Sequence, residues 1–467
     1  MPLRLPHLSR SHLLRTQQCR LRHRAPPHRC LTVLAIESSC DDTSVALLDT
    51  PDQYHAKILF HETATSPNKP TGGVHPFVSI VGHRRSMASL VQRALVALPN
   101  GTPAPDLVAV TRGPGMASNL GVGLDTAKGL AVAFGKPLIG VHHMLAHALT
   151  PRLVAALPNK EAHSPVEFPF LTVLVSGGHT MLVESRGLVD HTIVADSIDI
   201  AVGDMLDKAA RMVLPPEILE TQGDTISYAA LLEKFSVGDG DFQYFLPGTT
   251  RRKDDTQRKL QQYGEWNLPV PLARTPRPDA FSFSGLGSAI ERLHKSRPKM
   301  RWEEKADLGK EIQIIAFEHI ADRLVTRLQN RGNNIDDVVV SGGVASNLFF
   351  RYLLRRTLEH QGLRHVRIHT PPARLCTDNA AMIAWAGAEL YRDGYHTKLD
   401  VMPIRKWSMD SAVSLSGENE SEAFEDPKKG GILGVKGWKR LPKEERLGPG
   451  GRRTQEGIVE EMDDKQT

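Results

Sequence analysis

The sequence predicts an α/β fold built from two similar halves. Each half opens with a β-rich run, a polar turn and a second apolar run, which is the pattern of a β-hairpin, at residues 31–48 and again at residues 170–184. After the first hairpin, a strand from Leu107, a helix from Ala117 and a strand from Pro137 predict a βαβ unit with parallel strands. The chain of 467 residues, 40% of them apolar, is long enough for two lobes with their own cores.

The first thirty residues differ from the rest of the chain. They contain seven arginines and no aspartate or glutamate, and the first acidic residue is Glu37. Basic leaders of this kind are typical of mitochondrial transit peptides, whereas a secretory signal needs an apolar core. We therefore expect residues 1–30 to be a transit peptide that directs the protein to the mitochondrial matrix. A basic tail with no targeting role is the alternative.

Composition divides the remainder into two lobes and a tail. We expect an N-terminal lobe at residues 31–165 and a C-terminal lobe at residues 166–402. Within the second lobe, residues 215–275 lose the regular apolar pattern and predict an insertion with a short helix of its own. Residues 403–467 are rich in Lys, Glu, Gly and Ser with few aliphatic residues, which predicts a disordered tail.

Composition also excludes several classes of protein. No apolar run is long enough to span a membrane, so no membrane association is expected. The four cysteines show no C-x-x-C spacing, which argues against a disulfide scaffold or a cysteine zinc site. The formal charge of +5 permits an anionic partner without requiring one. If RNA is that partner, the candidate contacts are Arg84 and Arg85 or the basic residues of the insertion, at 251–253 and 258–259.

His143 and His147 form the clearest candidate site. Their spacing of four places both imidazoles on one face of a helix, and that helix follows the strand from Pro137, where α/β sheets bind ligands. Two such ligands need a third to hold a metal ion, and Asp378 is the best candidate. Asp378 or Asn379 is equally suited to cap the helix that starts at residue 380. Ordinary core or surface histidines are the alternative for the pair.

Three polar turns are candidate anion or cation sites. In the first hairpin turn, backbone N–H groups suit a phosphate, and Asp41 and Asp42 suit a cation, although a solvated turn explains the pattern equally well. In the second hairpin turn, Gly177 and Gly178 let backbone N–H groups approach a ligand, although a tight β-turn needs glycine as well. A glycine pair at residues 342–343, between a strand and a helix, has the pattern of a nucleotide-binding turn, with a plain strand-to-helix turn as the alternative.

Two halves that each open with such a hairpin are the pattern of the actin, hexokinase and Hsp70 (ASKHA) fold. Seven segments go further and resemble the Kae1/TsaD/Qri7 family, the tRNA N6-adenosine threonylcarbamoyltransferases, in the family's order and approximate spacing. The segments are residues 36–43, 111–115, 143–147, 175–180, 281–285, 341–347 and 376–381. The resemblance covers residues 31–400 and is greatest to the mitochondrial branch. It implies a two-lobed ASKHA fold with a cleft between duplicated ribonuclease-H-like halves.

The resemblance also implies a reaction and a set of site residues. The L-threonylcarbamoyl group would pass from threonylcarbamoyl-AMP, made by a synthase, to N6 of adenosine 37 in tRNAs that read codons beginning with A. One divalent metal ion, iron or zinc, would be held by His143, His147 and Asp378, with no catalytic residue separate from the metal and substrate sites. A homodimer is expected. The residues implied to bind the adenylate are Leu174, Val175, Ser176, Gly177, Gly178, Asp207, Gly223 and Asn347.

The sequence departs from the family pattern at several points. Leu145 and Ala146 replace the usual Glu-Gly between the histidines, and Gly287 replaces a usual lysine. Pro215 and Pro216 with the insertion replace a Pro-Gly-Gly segment, so Gly223 has no secure counterpart. Two other functions compete with the transferase: a small-molecule kinase of the same fold, which leaves His143 and His147 unexplained, and a non-enzymatic mitochondrial nucleoid or scaffold protein.

Overall fold

The computed structural model describes residues 30–67, 73–158, 166–220, 227–238, 250–274, 277–330, 335–413 and 430–441. The expected transit peptide, apart from Cys30, and Gly223 lie outside these residues. Among the helices described, none is both long enough and apolar enough to cross a membrane.

Thirteen strands and twelve α-helices make up the described part of the chain. The strands are β1 (Leu31–Glu37), β2 (Asp42–Thr50), β3 (Lys57–Thr65), β4 (Leu107–Gly113), β5 (Leu138–His142), β6 (Phe170–Val175), β7 (Thr180–Ser185), β8 (His191–Ser197), β9 (Ala280–Phe281), β10 (Asp337–Ser341), β11 (Arg367–His369), β12 (Tyr395–Thr397) and β13 (Trp438–Arg440). The helices are α1 (Pro76–Val96), α2 (Ala117–Phe134), α3 (His143–Ala156), α4 (Val202–Val213), α5 (Pro216–Glu220), α6 (Tyr228–Val237), α7 (Thr250–Tyr263), α8 (Ser284–Ser296), α9 (Trp302–Gln329), α10 (Leu348–His360), α11 (Ala373–Cys376) and α12 (Ala380–Arg392).

Two mixed sheets form the centres of two lobes, as the sequence predicts. The first sheet has the strand order β13-β12-β5-β4-β1-β2-β3 and the second the order β11-β10-β6-β7-β8-β9. Both predicted hairpins are confirmed, because β1 pairs antiparallel with β2 and β6 pairs antiparallel with β7. The predicted βαβ unit is confirmed too, since β4 and β5 are parallel and α2 connects them.

The lobes exchange helices and therefore share a core. Helix α3 follows the first sheet but contacts β6 and β10 of the second. Helix α12 follows the second lobe in sequence yet packs on β1, β2, β4 and β5 of the first. A single buried cluster contains Leu145 of α3, Phe170 and Val339 of the second sheet, and Trp385 of α12. This interlocking fixes the carboxyl ends of the first-sheet strands against the second lobe.

The lobe boundary expected at residue 402 does not match this topology. Residues 380–397 follow the second lobe in sequence, but β12 is a strand of the first sheet and α12 packs on that sheet. Helix α12 is buried along almost its whole length, so it needs apolar partners on more than one side, and α3 and the first sheet provide them. Composition alone could not identify those partners.

The expected disordered tail is also partly wrong. Residues 401–413 run along both lobes: the Ile404 N–H donates to the Arg112 carbonyl at 2.8 Å, and the Ser411 N–H donates to the His191 carbonyl at 2.9 Å. Further on, β13 pairs with β12, and Ile432 is fully buried in the shared cluster. The few apolar residues of this region are thus used in the core. We call residues 401–413 together with 430–441 the C-terminal strap.

The expected insertion contains more structure than predicted. Its described residues include three helices, and α6 packs between α4 and α9 with Leu232 fully buried. The polar helix α7 lies against α9 through ion pairs: Lys259 contacts Glu311 at 3.2 Å, and Arg258 contacts Asp307 at 3.2 Å. Because ion pairs hold α7 against α9, α7 is helical although its sequence lacks the regular apolar pattern.

A truncation tests the structural role of the C-terminal strap. Removing residues 430–467 takes away buried Ile432 and the Lys436 carbonyl, to which buried Arg112 donates at 2.7 Å. We expect a loss of roughly 3 kcal/mol or more in unfolding free energy, from the exposed core and the lost acceptor. A truncation after Leu441 is the matched control. Equal thermal midpoints for the two truncated proteins would show that the strap contributes no stability.

Candidate metal and substrate site

The candidate site lies where strands of the first sheet end and the second lobe begins. Strand β1 ends at Glu37, which is fully buried, and β5 ends at His142, immediately before α3. Helix α3 is buried along most of its length, so its first turn is held rigidly between the lobes. Asp378 reaches the same place from the second lobe, in the turn between α11 and α12.

His143, His147 and Asp378 come together across the lobes. The Asp378 Oδ1 atom lies 3.3 Å from His143 Nε2 and 3.1 Å from His147 Nε2. One ligand atom from each of the three residues lies within 4.8 Å of the others, and among the described residues no other group of three or more His, Cys, Asp or Glu does so. The side chain of Asp378 is 27% exposed while those of the histidines are at most 6% exposed. The cluster is therefore open to solvent on the carboxylate side.

The other nitrogen of each imidazole is held by the protein. Glu37 Oε2 lies 3.1 Å from His143 Nδ1, and the Ser39 hydroxyl lies 3.3 Å from the same atom. Ser341 Oγ lies 3.5 Å from His147 Nδ1. These contacts turn both Nε2 atoms toward Asp378, as hydrogen-bonded outer partners do for histidines that bind metals. The set of two imidazoles and one carboxylate suits a divalent transition metal.

Charge in the cluster is strongly coupled. Burial disfavours the charged form of His143, but the Glu37 and Asp378 carboxylates outweigh it and raise the pKa of His143 to about 10. Burial also opposes the charge of Asp378, yet the adjacent histidines hold the pKa of Asp378 well below its usual range. Burial lowers the pKa of His147. The buried Glu37 carboxylate and the partly exposed Asp378 carboxylate thus favour a cation at this point, and a metal ion would satisfy that preference.

Neither Asp41 nor Asp42 belongs to the cluster. Only Asp378 joins the two histidines in the group of potential ligands. Burial raises the pKa of Asp42 to about 7, so this carboxyl group is protonated in roughly half of the molecules at neutral pH in the absence of a cation. Asp378 is not the helix cap either, because the Asn379 side chain accepts the Met382 N–H at the start of α12. Asp378 therefore keeps its carboxylate for the site.

The second hairpin turn lies close to this cluster. Ser341, which contacts His147, pairs with Leu174 in the register of β10 and β6, one strand residue before the turn. Burial, together with the nearby charge of His143, lowers the pKa of His179 in the turn to about 4. A Cβ atom on Gly177 or Gly178 would meet nothing within 4 Å. The turn thus presents open backbone toward the cleft.

The remaining predicted substrate residues have structural partners. Leu174 and Val175 are core residues of β6, so only their backbone faces the turn. The Asp207 carboxylate accepts the Ala229 N–H at 2.8 Å, near the start of α6. The Asn347 side chain caps α10 and donates to Gln313 at 3.1 Å. These two residues thus hold the starts of α6 and α10.

The glycine turn at residues 342–343 packs directly on the second hairpin. Gly342 has φ +99°, and a Cβ there would collide with the Val175 carbonyl. Gly203, in the first turn of α4, approaches the same hairpin so closely that a Cβ would lie 2.5 Å from the Ser176 carbonyl. Only glycine permits both approaches. Two of the predicted polar turns and the start of α4 therefore converge beside the histidine cluster.

Comparison with known proteins shows the family to which the chain belongs. The family model for TsaD, tRNA N6-adenosine threonylcarbamoyltransferase, matches residues 57–385, which include all three members of the cluster. The chain belongs to this family. It is 37% identical over 404 residues to the mitochondrial tRNA N6-adenosine threonylcarbamoyltransferase of Schizosaccharomyces pombe, which covers 84% of this chain and 89% of that protein.

Bacterial relatives and solved structures give weaker matches. The tRNA N6-adenosine threonylcarbamoyltransferase of Brucella anthropi is 34% identical over 387 residues, covering 81% of this chain and 96% of the relative. The solved structure of HypF from T. kodakarensis is 14% identical with a TM-score of 0.39, over 78% of this chain and 48% of that one, and a likeness so low carries no argument. The threonylcarbamoyltransferase family assignment rests on the sequence matches.

Sequence reasoning missed His142, which holds the start of the metal-site helix. Its Nδ1 accepts the Leu145 N–H at 3.4 Å, and its Nε2 lies 2.9 Å from the Trp407 carbonyl, to which it donates. Complete burial lowers the pKa of His142 to about 3, so the ring stays neutral and keeps both contacts. Trp407 packs on the ring with centroids 4.6 Å apart. No sequence pattern links residues 142 and 407, which meet only in the fold.

Substituting Asp378 tests the metal site. Asp378→Asn keeps the shape of the side chain but removes the negative charge that faces His143 and His147. We expect metal affinity to fall by at least about tenfold, because a neutral amide is a poor ligand for these metals. Elemental analysis after dialysis against a chelator measures it, with Asp41→Asn as the matched control. Parent-like metal content in Asp378→Asn would remove Asp378 from the site.

Substituting His142 tests how α3 is positioned. His142→Ala removes the acceptor for Leu145 N–H and the donor to the Trp407 carbonyl, both buried. We expect a loss of about 1 to 2 kcal/mol in unfolding free energy and weaker metal binding, with partial rescue by His142→Asn, whose oxygen can cap the helix. Thermal unfolding and metal titration measure these effects. A stability loss with unchanged metal affinity would show that His142 does not position the ligands.

Proposed function

We propose that this protein transfers the L-threonylcarbamoyl group from threonylcarbamoyl-AMP to N6 of adenosine 37 in mitochondrial tRNAs that read codons beginning with A. The observation that carries the proposal is the cluster of His143, His147 and Asp378 beside an open glycine turn, in a member of the threonylcarbamoyltransferase family. The N6–carbon bond forms as the bond from that carbon to the phosphate oxygen breaks, which releases AMP and a proton.

The cluster would hold one divalent metal ion, iron or zinc. Two imidazoles and a carboxylate would suit either metal, and the partly exposed Asp378 side chain leaves the cluster open to solvent. When bound, the metal supplies a Lewis acid that polarises a carbonyl or phosphate oxygen. This matters because an aromatic amine is a weak nucleophile, so its electrophile must be activated. Glu37 and Ser39 keep His143 oriented toward the metal.

The second hairpin turn would bind the adenylate. Leu174, Val175, Ser176, Gly177 and Gly178 would contribute mainly backbone groups, because the first two bury their side chains and the glycines leave room for a phosphate. The N-terminus of α4 packs on this turn and adds the favourable end of its dipole.

Two further residues would shape the adenylate pocket from the second lobe. Asp207 and Asn347 would border the nucleoside, with each already fixed by a helix end. This pre-organisation lowers the entropy cost of binding. Gly223, outside the described residues, remains a predicted contact from the family resemblance.

The cellular setting follows from the leader and the relatives. The basic composition of residues 1–30 and the mitochondrial name of the yeast relative support import into mitochondria, and we propose the matrix as the site of action. A separate synthase must supply the unstable mixed anhydride. We also propose a homodimer, as the family resemblance implies.

The competing functions explain less of the molecule. A small-molecule kinase would have no use for two buried histidines that meet a carboxylate. A scaffold protein would not need outer hydrogen bonds to orient them. The transferase uses both features.

Reconstitution tests the proposed function. Metal-loaded protein, unmodified mitochondrial tRNA and a threonylcarbamoyl-AMP synthase that supplies the adenylate should yield threonylcarbamoyladenosine, measured by mass spectrometry of tRNA nucleosides. His147→Asn should reduce the yield by about 100-fold or more, because one of three metal ligands is weakened. A tRNA with guanosine at position 37 is the substrate control. Absence of the modified nucleoside with metal-loaded parent protein would overturn the proposal.

A further inference from the structure

A dense basic segment lies in the second lobe, away from the histidine cluster. Residues 292–301, which cover the end of α8, the connecting loop and the residue before α9, contain five Lys or Arg and no acidic residue. We call this segment the α8–α9 basic surface. Its Lys, Arg and His residues with exposed side chains are Arg292, His294, Lys295, Lys299 and Arg301.

Internal contacts account for only part of this charge. Lys295 contacts Glu291 at 2.6 Å, and Arg297 contacts Glu304 at 3.2 Å and the Tyr263 carbonyl at 2.6 Å. Within the part of the chain that the structure describes, no carboxylate lies within salt-bridge distance of the other three cations. These are Arg292, Lys299 and Arg301. The surface thus presents more positive charge than its own fold neutralises.

Helix dipoles do not explain the surface either. Cations near the C-terminus of α8 are favourable, which suits Lys295. Arg301, however, is the N-cap residue of α9, and Lys299 lies just before it, where the helix dipole disfavours positive charge. Glu303 and Glu304 in the first turn of α9 offset part of this cost, although the Glu304 carboxylate is paired with Arg297. An external anion near Lys299 and Arg301 would offset the remainder.

A groove and an aromatic pair adjoin the cations. The groove has a volume of about 380 Å³, and its charged lining residues are Arg297, Lys299, Arg301 and Glu304, of which Glu304 pairs with Arg297. Tyr263 also lines it. Tyr263 stacks on Trp266 with ring centroids 5.7 Å apart and an interplanar angle of 12°. Cations beside aromatic rings in an open groove suit nucleic acid, because phosphates and sugars or bases can both be contacted.

Helix α8 connects this surface to the active site. Its first residue, Ser284, and Ser282 donate hydroxyl hydrogen bonds to Asp199, each at 2.6 Å, in the loop before α4. Helix α4 in turn packs on the second hairpin turn through Gly203. The thirteen residues of α8 span roughly 20 Å at 1.5 Å per residue, so the basic surface lies about that far from the start of the helix.

We propose that the α8–α9 basic surface binds the phosphate backbone of the tRNA stem that adjoins the loop containing the target adenosine. This inference rests on the proposed function. On the exposed face of α8, the small residues Gly285 and Ser288 lie near the start of the helix, which is the end connected to the second hairpin turn. Arg292 and Lys295 lie on the same face near the other end. A duplex lying along this face would meet only small side chains near the start of α8. Its phosphates would contact the cations near the end of the helix, in keeping with recognition of A-form RNA by shape and phosphate contacts.

Two other groups of basic residues are candidate RNA surfaces. Arg258 and Lys259 of α7 are engaged with Asp255, Asp307 and Glu311, so their charge is internally compensated. Arg84 and Arg85 of α1 are exposed in the first lobe and form the competing surface. The variants can therefore be compared directly.

Salt dependence of tRNA binding tests the proposal. In Lys299→Ala/Arg301→Ala, the slope of log affinity against log salt should fall by about 1 to 2, since each lost phosphate contact contributes about 0.7 to 0.9. At low salt the dissociation constant should rise at least tenfold. Binding of a single-stranded oligonucleotide with only the anticodon-loop sequence should not change, and metal content should equal that of the parent.

Control variants make the outcome unambiguous. Arg258→Ala should keep the parent slope, and Lys299→Gln/Arg301→Gln should reproduce the alanine result if charge is responsible. A parent-like slope in both double variants, with a reduced slope in Arg84→Ala/Arg85→Ala, would overturn the proposal and assign the tRNA to the first lobe. If the parent forms threonylcarbamoyladenosine in that case, the proposed function stands. If the parent neither binds nor modifies tRNA, both fail.

Discussion

The meeting of two carboxylates, Glu37 and Asp378, with two imidazoles between the lobes is the constraint on which the rest of this structure depends. Glu37 is fully buried, and Asp378 faces His143 at 3.3 Å and His147 at 3.1 Å. Charges removed from water are costly unless they are paired. The lobes must therefore bring Asp378 next to the two histidines, because otherwise a carboxylate is left without compensation. A divalent cation would compensate the negative charge better than a shared proton, because its charge would balance both carboxylates while the imidazoles remain neutral.

The interlocked lobes keep that register. Helix α3 carries His143 and His147 from the first lobe into contact with β6 and β10, and α12 returns from the turn that contains Asp378 to pack on the first sheet. The C-terminal strap adds a second connection, since Ile404 binds the backbone of the first lobe and Ser411 that of the second. A site shared between lobes is thus built on buried helices rather than on flexible loops, which limits the motion of the ligands relative to one another.

Local patterns in the sequence predicted the features that depend on local chemistry. Short apolar runs separated by polar turns predicted both hairpins, the order strand, helix, strand predicted the βαβ unit, and the spacing of His143 and His147 predicted one helical face. Features set by tertiary packing were not accessible in this way. The burial of α12 against the first sheet, the use of Asp207 and Asn347 at helix ends and the ordered strap at residues 430–441 depend on partners far away in sequence. His142 shows the same limit, because its role requires the carbonyl of Trp407, 265 residues away.

The most direct test of the account is anomalous X-ray diffraction from crystals of the purified metal-loaded protein, recorded on both sides of the absorption edge of iron and of zinc. The account predicts one strong anomalous peak per chain, within about 2.0 to 2.2 Å of His143 Nε2, His147 Nε2 and an Asp378 carboxylate oxygen. It also predicts that Glu37 remains hydrogen-bonded to His143 Nδ1 and does not ligate the metal. A peak bound elsewhere, or a fully loaded protein with no peak between these three residues, would contradict the account.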